Sequence, residues 1–128
     1  MLLTKESQTV EFKQIWKDDY LKTICAFANS DGGVLYVGVS DDGSIVGIDN
    51  IKSLIEILPN KINNRLGLLV DVLYQTIESK EIIKINIEKT YAPVSLNGKF
   101  YKRSGSNTIE LNGSNLTNFL LKKYFQKN

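Results

Sequence analysis

Three acidic residues stand near the start of the chain at positions where they could act together. Glu6 and Glu11 precede and enter a segment of alternating polar and apolar residues, and Asp41 follows a long apolar run. A separation of five puts two side chains on opposite faces of a strand and roughly 140° apart on a helix. Glu6 therefore meets Glu11 only if the chain bends before the strand. If all three converge, their oxygens suit Mg²⁺ or Mn²⁺, which could activate water against a phosphodiester; otherwise they are exposed acids at turns.

Four basic residues are candidates for contact with phosphate: Lys13, Lys99, Lys102 and Arg103. The last two lie in residues 100–106, where aromatic and cationic side chains are interleaved. Aromatic rings can stack on bases while lysine and arginine neutralise phosphate. In a strand, Lys102 and Arg103 face opposite ways, so we expect one face to pack inward and only part of the set to touch a ligand. An edge strand that lysine protects against aggregation would show the same pattern.

Missing residue types exclude several kinds of chemistry. The sequence has no histidine, so Ser-His-Asp and Cys-His nucleophiles and histidine zinc sites are excluded. No G-x-x-x-x-G-K-[ST] loop occurs, so a P-loop ATPase is not expected. The single Cys25 cannot form an internal disulfide, which predicts a cytoplasmic location. No apolar run approaches the roughly 20 residues of a membrane span, and the first residues do not read as a signal peptide.

The length of the chain and the distribution of its charges indicate the kind of domain that carries these residues. A chain of 128 residues, 42% hydrophobic and 23% charged, predicts one globular domain over residues 1–128. The net charge of +2 is unevenly distributed. Residues 1–50 hold four lysines against eight acids, a net −4, whereas residues 51–128 hold twelve basic residues against six acids, a net +6. A basic half can screen phosphates, although segregated surface charges would produce the same count.

Hydrophobic spacing predicts the elements that must position these residues. Alternation predicts a short strand over residues 9–13, and helical spacing predicts a helix that opens at Asp18-Asp19 and ends before Gly32-Gly33. The apolar run 34–39 indicates a central strand covered on both faces, with a second strand at 44–48. A helical stripe over 51–66 contains Pro59, which we expect to kink or divide it.

The later part of the chain predicts further strands and a last helix. Strands are expected at 68–77 and 81–88, and Asn97-Gly98 is the strongest hairpin signal in the sequence. A helix capped at Gly113-Ser114 should turn four residues inward: Leu116, Phe119, Leu120 and Tyr124. The predicted fold class is α+β, a mixed and mainly antiparallel sheet packed with about three helices.

Several motifs together resemble the Schlafen AlbA-like domain family. They occur in family order and cover nearly the whole chain. The segments are Glu6-Ser7-x-x-x-Glu11-Phe12-Lys13, then residues 26–33 (AFANSDGG), 35–43 (LYVGVSDDG) and 46–49 (VGID), and finally Tyr101-x-Arg103-x-Gly105-Ser106-x-Thr108.

The resemblance implies a nucleic-acid partner. Bacterial members are usually described as DNA-binding domains of transcriptional regulators, some with labels that suggest an ATPase or helicase relationship. The absent P-loop argues against taking those labels literally. Larger bacterial members often continue into a winged-helix region, so this chain is expected to be a minimal member or an excised part.

The resemblance also implies an alternative, enzymatic role. Animal Schlafen proteins similar to this pattern include endoribonucleases with three metal-associated carboxylates. The matching positions here are Glu6, Glu11 and Asp41, and Lys13 would face the substrate beside Glu11. The animal nucleases build their groove from two lobes, whereas this chain has one such domain, so a homodimer would have to supply the second.

We therefore predict a nucleic-acid-binding domain that contacts the phosphates of DNA or RNA through Lys13, Lys99, Lys102 and Arg103, as a homodimer with a lengthened basic surface. No cofactor is expected for this role. The first alternative is a ribonuclease with Mg²⁺ or Mn²⁺ on the three carboxylates. The second is a protein-interaction domain whose acidic half binds a basic partner.

Overall fold

The computed structural model describes residues 1–125, and in them the chain forms an α+β fold, as predicted. The last three residues of the predicted domain lie outside this part. A four-stranded sheet has the order β1-β2-β4-β3, in which only β1 and β2 are parallel. β5 and β6 form a separate antiparallel hairpin. The strands are β1 (Val10–Lys13), β2 (Gly33–Val37), β3 (Asp71–Ile77), β4 (Lys80–Ile87), β5 (Tyr101–Ser104) and β6 (Asn107–Glu110), and the helices are α1 (Leu21–Asn29), α2 (Ile51–Leu66) and α3 (Gly113–Phe125).

Helix α1 forms the centre of the core. It follows a 3₁₀ turn at Asp18–Tyr20 and buries every residue except Lys22. The Asn29 amide donates to the carbonyls of Val94 and Tyr101 at 2.8 and 2.9 Å, and its oxygen accepts the Val94 N–H at 2.8 Å. Asn29 therefore joins α1 to the loop before β5 and to β5 itself, a wider role than the turn expected from sequence.

The turn between α1 and β2 requires glycine because there is no space there for a side chain. A Cβ at Gly33 would lie 2.7 Å from the Phe27 ring and 2.7 Å from the Thr9 carbonyl oxygen. β2 then ends at Val37, two residues earlier than expected, because Gly38 takes a φ of +101°. The predicted strand at 44–48 does not form, and only a bridge joins Val39 to Ile45.

Helix α2 matches its predicted bounds and buried stripe. The stripe packs on the core through five residues: Ile51, Leu54, Leu58, Ile62 and Leu66. Pro59 lies inside a continuous helix, so the expected division does not occur. The helix ends at Gly67, whose φ of +70° favours glycine.

The second half of the chain differs most from expectation. The β3–β4 hairpin turns at Glu78-Ser79, whereas Asn97-Gly98 forms a turn closed by a single bridge between Leu96 and Lys99. In α3, Phe119 is buried as predicted, but Tyr124 is 67% exposed and Lys123 takes the inward position. Within residues 1–125, no helix is long and apolar enough to cross a membrane.

Candidate nucleic-acid interface

A turn before β1 brings Glu6 back to Glu11. The Ser7 N–H donates to the Val10 carbonyl at 2.9 Å across this turn. The Glu6 carboxylate then accepts the Phe12 backbone N–H at 3.1 Å and shares a hydrogen bond with the Glu11 carboxyl group. This is the bend that convergence of the two side chains required, since regular strand geometry would have separated them.

Glu6 can hold a proton near neutral pH. Burial, and after it the hydrogen bond with Glu11, raise the pKa of Glu6 to about 7, against smaller opposing effects of the Phe12 N–H and Lys13. Two carboxyl groups in contact repel one another when both are ionised, and sharing one proton relieves that repulsion. Glu6 can therefore give up or take a proton within the physiological pH range.

Arg103 forms a buried ion pair with Glu11. The Arg103 guanidinium donates to Glu11 Oε1 at 2.9 Å, and its side chain is fully buried. Its other N–H groups donate to the Ser7 and Gln8 carbonyls at 2.6 and 3.3 Å and to the Thr108 hydroxyl at 3.2 Å. The group also lies 4.7 Å from the Phe27 ring centroid. These contacts differ from the phosphate contact expected from sequence, because the guanidinium donors are directed into the protein.

Asp41 lies on the same cleft as the glutamate pair but belongs to a different structure. We call it the carboxylate cleft, and its volume is about 680 Å³. It is lined by residues from the N-terminal turn, α1 and the β5–β6 hairpin, with Asp41 on the loop after β2. Asp41 is exposed. Its neighbour Asp42 organises that loop by accepting the Ser40 hydroxyl at 2.6 Å and the Ser44 N–H at 2.9 Å, and the hydrogen bond from Ser40 is the main reason that the pKa of Asp42 falls to about 2.

The carboxylates of this cleft fit a divalent cation only in part. Glu6 and Glu11 offer adjacent oxygens of the kind that Mg²⁺ and Mn²⁺ prefer. One oxygen of Glu11 already accepts the Arg103 hydrogen bond. In the part of the chain that the structure describes, no three His, Cys, Asp or Glu side chains are grouped so that they could hold a metal ion. The metal role of Glu6, Glu11 and Asp41 thus stays a prediction.

The four predicted phosphate contacts do not gather in one place. Lys13 lies in the carboxylate cleft, with its Nζ 3.9 Å from Glu11 Oε2 and 4.5 Å from the Tyr20 ring centroid. Lys99 is 61% exposed and lies 3.9 Å from Glu110. Arg103 is buried, and Lys102 opens on a different groove. The alternation expected in β5 is confirmed, since Tyr101 and Arg103 are buried while Lys102 and Ser104 are exposed.

A second concavity collects positive charge from three separate parts of the chain. We call it the lysine groove; it measures about 460 Å³ and is lined by Lys89 after β4, Lys102 on β5, and Lys122 and Lys123 on α3. Asp31 is the one acidic residue among the described residues that line it. Arg103 also lines the groove, but its charge is paired with Glu11. The four lysines outnumber the one anion and make this groove a site of positive potential, able to attract a polyanion.

Lys123 forms the floor of the lysine groove. It is only 4% exposed, and its ammonium donates to the Thr90 carbonyl at 2.7 Å. Burial lowers the pKa of Lys123, and the charges of Lys89 and Lys102 lower it further. The lysines of the groove are therefore close enough to repel one another, and a bound anion would relieve that repulsion.

Sequence reasoning missed three of the four groove lysines. Lys122-Lys123 in the last turns of α3 was a visible signal, as was Lys89 directly after an apolar strand. Neither segment carries a motif, and only the contacts of α3 with Thr90 and Phe100 bring these lysines to Lys102. The two sites share the β5–β6 hairpin: Lys102 faces the lysine groove, while Tyr101 and Thr108 line the carboxylate cleft.

The chain belongs to the family described as Schlafen, AlbA_2, which matches residues 6–112. The match includes Glu6, Glu11, Asp41 and Arg103 and confirms the resemblance found in the sequence. Helix α3 lies beyond it, so the family match covers Lys89 and Lys102 but not Lys122 and Lys123.

The solved structures that share this fold include two from bacteria with other sequences. The DIP2311 protein from Corynebacterium diphtheriae superimposes with a TM-score of 0.67 at 23% identity, over 81% of this chain and 25% of that one. This chain thus matches about a quarter of the length of that protein. The N-terminal domain of a protein from Nitrosomonas europaea described as related to the ATP-dependent DNA helicase RecG has a TM-score of 0.53 at 20% identity, over 77% of this chain and 78% of that one.

Proposed function

We propose that this chain is a nucleic-acid-binding domain whose lysine groove contacts phosphates. The observation that carries the proposal is that Lys89, Lys102, Lys122 and Lys123 line one groove although they come from three separate segments. Membership of the Schlafen AlbA_2 family and the fold shared with a RecG-related protein support a nucleic-acid partner. A role in transcriptional regulation and a cytoplasmic location belong to the same proposal.

The groove predicts how binding should depend on salt. Each phosphate that a lysine neutralises releases condensed counterions, so the logarithm of affinity falls with the logarithm of salt by about 0.9 per contact on duplex DNA. Three lysines at the rim, Lys89, Lys102 and Lys122, would give a slope of about −2.7 by the same rule. Lys123 is held by Thr90 and contributes mainly to the potential of the groove.

Binding of a fluorescent duplex and a single strand, titrated over a range of salt concentrations, tests the proposal. Lys122→Gln should weaken binding to every sequence and reduce the salt slope by about 1. Lys52→Gln is the matched control, because Lys52 is also an exposed helical lysine but lies on α2. It should bind as the unmodified chain does.

Two outcomes would contradict the proposal. One is an absence of binding to both DNA and RNA at low salt, which would favour the protein-interaction alternative. The other is equal loss of affinity in Lys122→Gln and Lys52→Gln, which would show that general charge and not the lysine groove is responsible.

A metal-dependent endoribonuclease is the second candidate, because Glu6, Glu11, Asp41 and Lys13 line one cleft. A bound Mg²⁺ or Mn²⁺ would supply activated water there. Structured RNA incubated with Mn²⁺ or Mg²⁺ tests this candidate: cleavage should occur and should be lost in Glu11→Gln and in Asp41→Asn. Cleavage that survives both substitutions would exclude these residues as its source.

A further inference from the structure

Strand β3 forms an open edge of the main sheet. β3 pairs with β4 on one side, and no strand within residues 1–125 pairs with it on the other. The hairpin closes through the two residues Glu78-Ser79, with Ile77 opposite Lys80. In a hairpin of this kind alternate residues bond the partner strand. The backbone groups of Val72, Tyr74 and Thr76 therefore point away from the sheet.

The pairing of β4 with its neighbours on both sides agrees with this assignment. The Glu81 carbonyl faces away from β3 and accepts the Ile48 N–H at 2.9 Å, and residue 83 of β4 pairs with Val37 of β2. The residues of β4 that bond β3 are thus the alternate ones, and the same alternation holds along β3. Three N–H and three C=O groups lie in line on its outer edge.

This edge lacks the features that usually prevent strand pairing. Natural edge strands are shortened, or carry lysine, proline or a bulge. β3 is seven residues long, pairs with β4 without a break in register, and has the sequence DVLYQTI, in which Asp71 at one end is the sole charge. Two of its large side chains are open to solvent: Leu73 is 51% and Tyr74 is 62% exposed.

From this geometry we infer that β3 is the interface for a second copy of this chain, which adds its own β3 in antiparallel orientation and extends the sheet across a two-fold axis. The inference is independent of the proposed nucleic-acid binding, since no residue of β3 lines the lysine groove or the carboxylate cleft. It also gives the predicted homodimer a specific surface.

One register uses the whole strand. Centred on Tyr74, it pairs Tyr74 with its own copy, Val72 with Thr76, and Leu73 with Gln75. The outward backbone groups of all three alternate residues then find partners, and Asp71 lies opposite Ile77, so like charges do not face each other. An isologous contact of this kind closes as a dimer and uses the β3 edge of both copies.

A second copy is favoured over an unrelated peptide because the edge is complementary to itself. The same run supplies equal numbers of donors and acceptors in both copies, and Asp71 is the one charged residue in it, so no like charges face each other. Any concentrated solution of the chain presents this partner, and an edge without a protecting charge would pair with it. A foreign strand would be recognised only by its backbone, with nothing on β3 to select it.

Mass in solution, measured by light scattering and sedimentation over a range of protein concentrations, tests the inference. The unmodified chain should reach twice its monomer mass of 14.4 kDa. Tyr74→Lys should raise the dimer dissociation constant by about tenfold or more, because it places two ammonium groups opposite each other on the axis. Tyr91→Lys is the matched control, since Tyr91 is an exposed tyrosine outside the edge, and it should not change the mass.

Cross-linking provides a measurement that does not depend on the folding of Tyr74→Lys. Leu73→Cys chains mixed with Gln75→Cys chains should form a disulfide-linked pair under mild oxidation, while each variant alone should form far less. Cys25 is fully buried and should not interfere. A monomer at every concentration, a dimer that Tyr74→Lys leaves intact, or a failure of the mixed variants to cross-link would each overturn the inference.

Discussion

The Arg103 guanidinium lies 2.9 Å from the Glu11 carboxylate, and both side chains are almost completely removed from solvent. This ion pair joins the hairpin β5–β6 to β1, two elements that are 92 residues apart in the chain. The guanidinium also donates to the Ser7 and Gln8 carbonyls and to the Thr108 hydroxyl, which fix its position. Arg103 thereby determines where the Glu11 carboxylate sits in the cleft.

Replacement of Arg103 by methionine should strongly destabilise the fold. The substitution removes the close partner of the largely buried Glu11 carboxylate and the donors to the Ser7 and Gln8 carbonyls. Removal of one member of a buried pair typically costs about 3–5 kcal/mol. Urea unfolding measures the loss. Arg103→Lys should recover part of it, because lysine keeps the charge but not the forked geometry. A loss of less than about 1 kcal/mol in Arg103→Met would place this pair among ordinary surface interactions.

Glu6 should make stability depend on pH. Its pKa is raised in the folded protein from 4.5 to about 7, so protonation favours the folded state. That contribution is complete below pH 4.5 and is lost as the pH rises through about 7. Glu6→Gln can still accept the Phe12 N–H and donate to Glu11, and should therefore be more stable than the unmodified chain above pH 7 by about 1 kcal/mol after allowance for solvent screening.

The measurement for Glu6 is the difference in unfolding free energy between the two proteins across this pH range. The difference should disappear at acid pH, where Glu6 is protonated in both the folded and unfolded states. Asp49→Asn is a suitable control, because Asp49 is exposed on the loop before α2. A constant difference between Glu6→Gln and the unmodified chain at all pH values would show that Glu6 does not titrate in this range.

Asn29 should be needed for the junction between α1 and the second half of the chain. Asn29→Ala leaves the Val94 N–H and two carbonyls without their buried partner, at a cost of about 1–3 kcal/mol for each group left unsatisfied. Thermal or urea unfolding would show the loss. Asn63→Ala, at an exposed position of α2, should change stability little, and equal effects of the two substitutions would contradict the role assigned to Asn29.

Lys102 and Lys99 should differ in their effect on nucleic-acid binding although they are three residues apart. Lys102→Gln removes a charge from the lysine groove and should reduce the salt slope by about 1. Lys99→Gln removes a charge that lies beside Glu110 and should leave the slope nearly unchanged. Affinity measured against salt concentration distinguishes the two. A larger change of the salt slope in Lys99→Gln than in Lys102→Gln would show that the interface lies on the side of the hairpin that carries Glu110.

Much of the fold could be predicted from residue patterns because those patterns are local. The stripe on α2 and the alternation in β5 follow from helical and strand spacing, and the structure confirms them. β1 forms as a strand, but it buries both Glu11 and Phe12 and so does not alternate. Gly33 is a different case: the motif drew attention to it, but the reason that it must be glycine is the Phe27 ring at 2.7 Å from a Cβ. Tyr124 was predicted to be buried, and is exposed because α3 turns Lys123 inward instead.

The candidate sites depended on contacts between distant segments. Residue spacing showed only that Glu6 can meet Glu11 if the chain bends before the strand. It could not show that the Arg103 side chain is buried and does not face a phosphate. Nor could it show that Lys89 and Lys102 lie beside the lysines of α3, because the neighbours of a lysine from other segments are fixed only when those segments pack together.

By itself, the sequence determined the fold class, most of the elements and the family motifs, since each is encoded in neighbouring residues through backbone preference and hydrophobic period. Tertiary structure alone decided which charges are buried and paired, which of them share a groove, and which strand edge stays open. The physical reason is that these properties depend on desolvation and on distances between segments far apart in the chain, and both exist only after the core has formed.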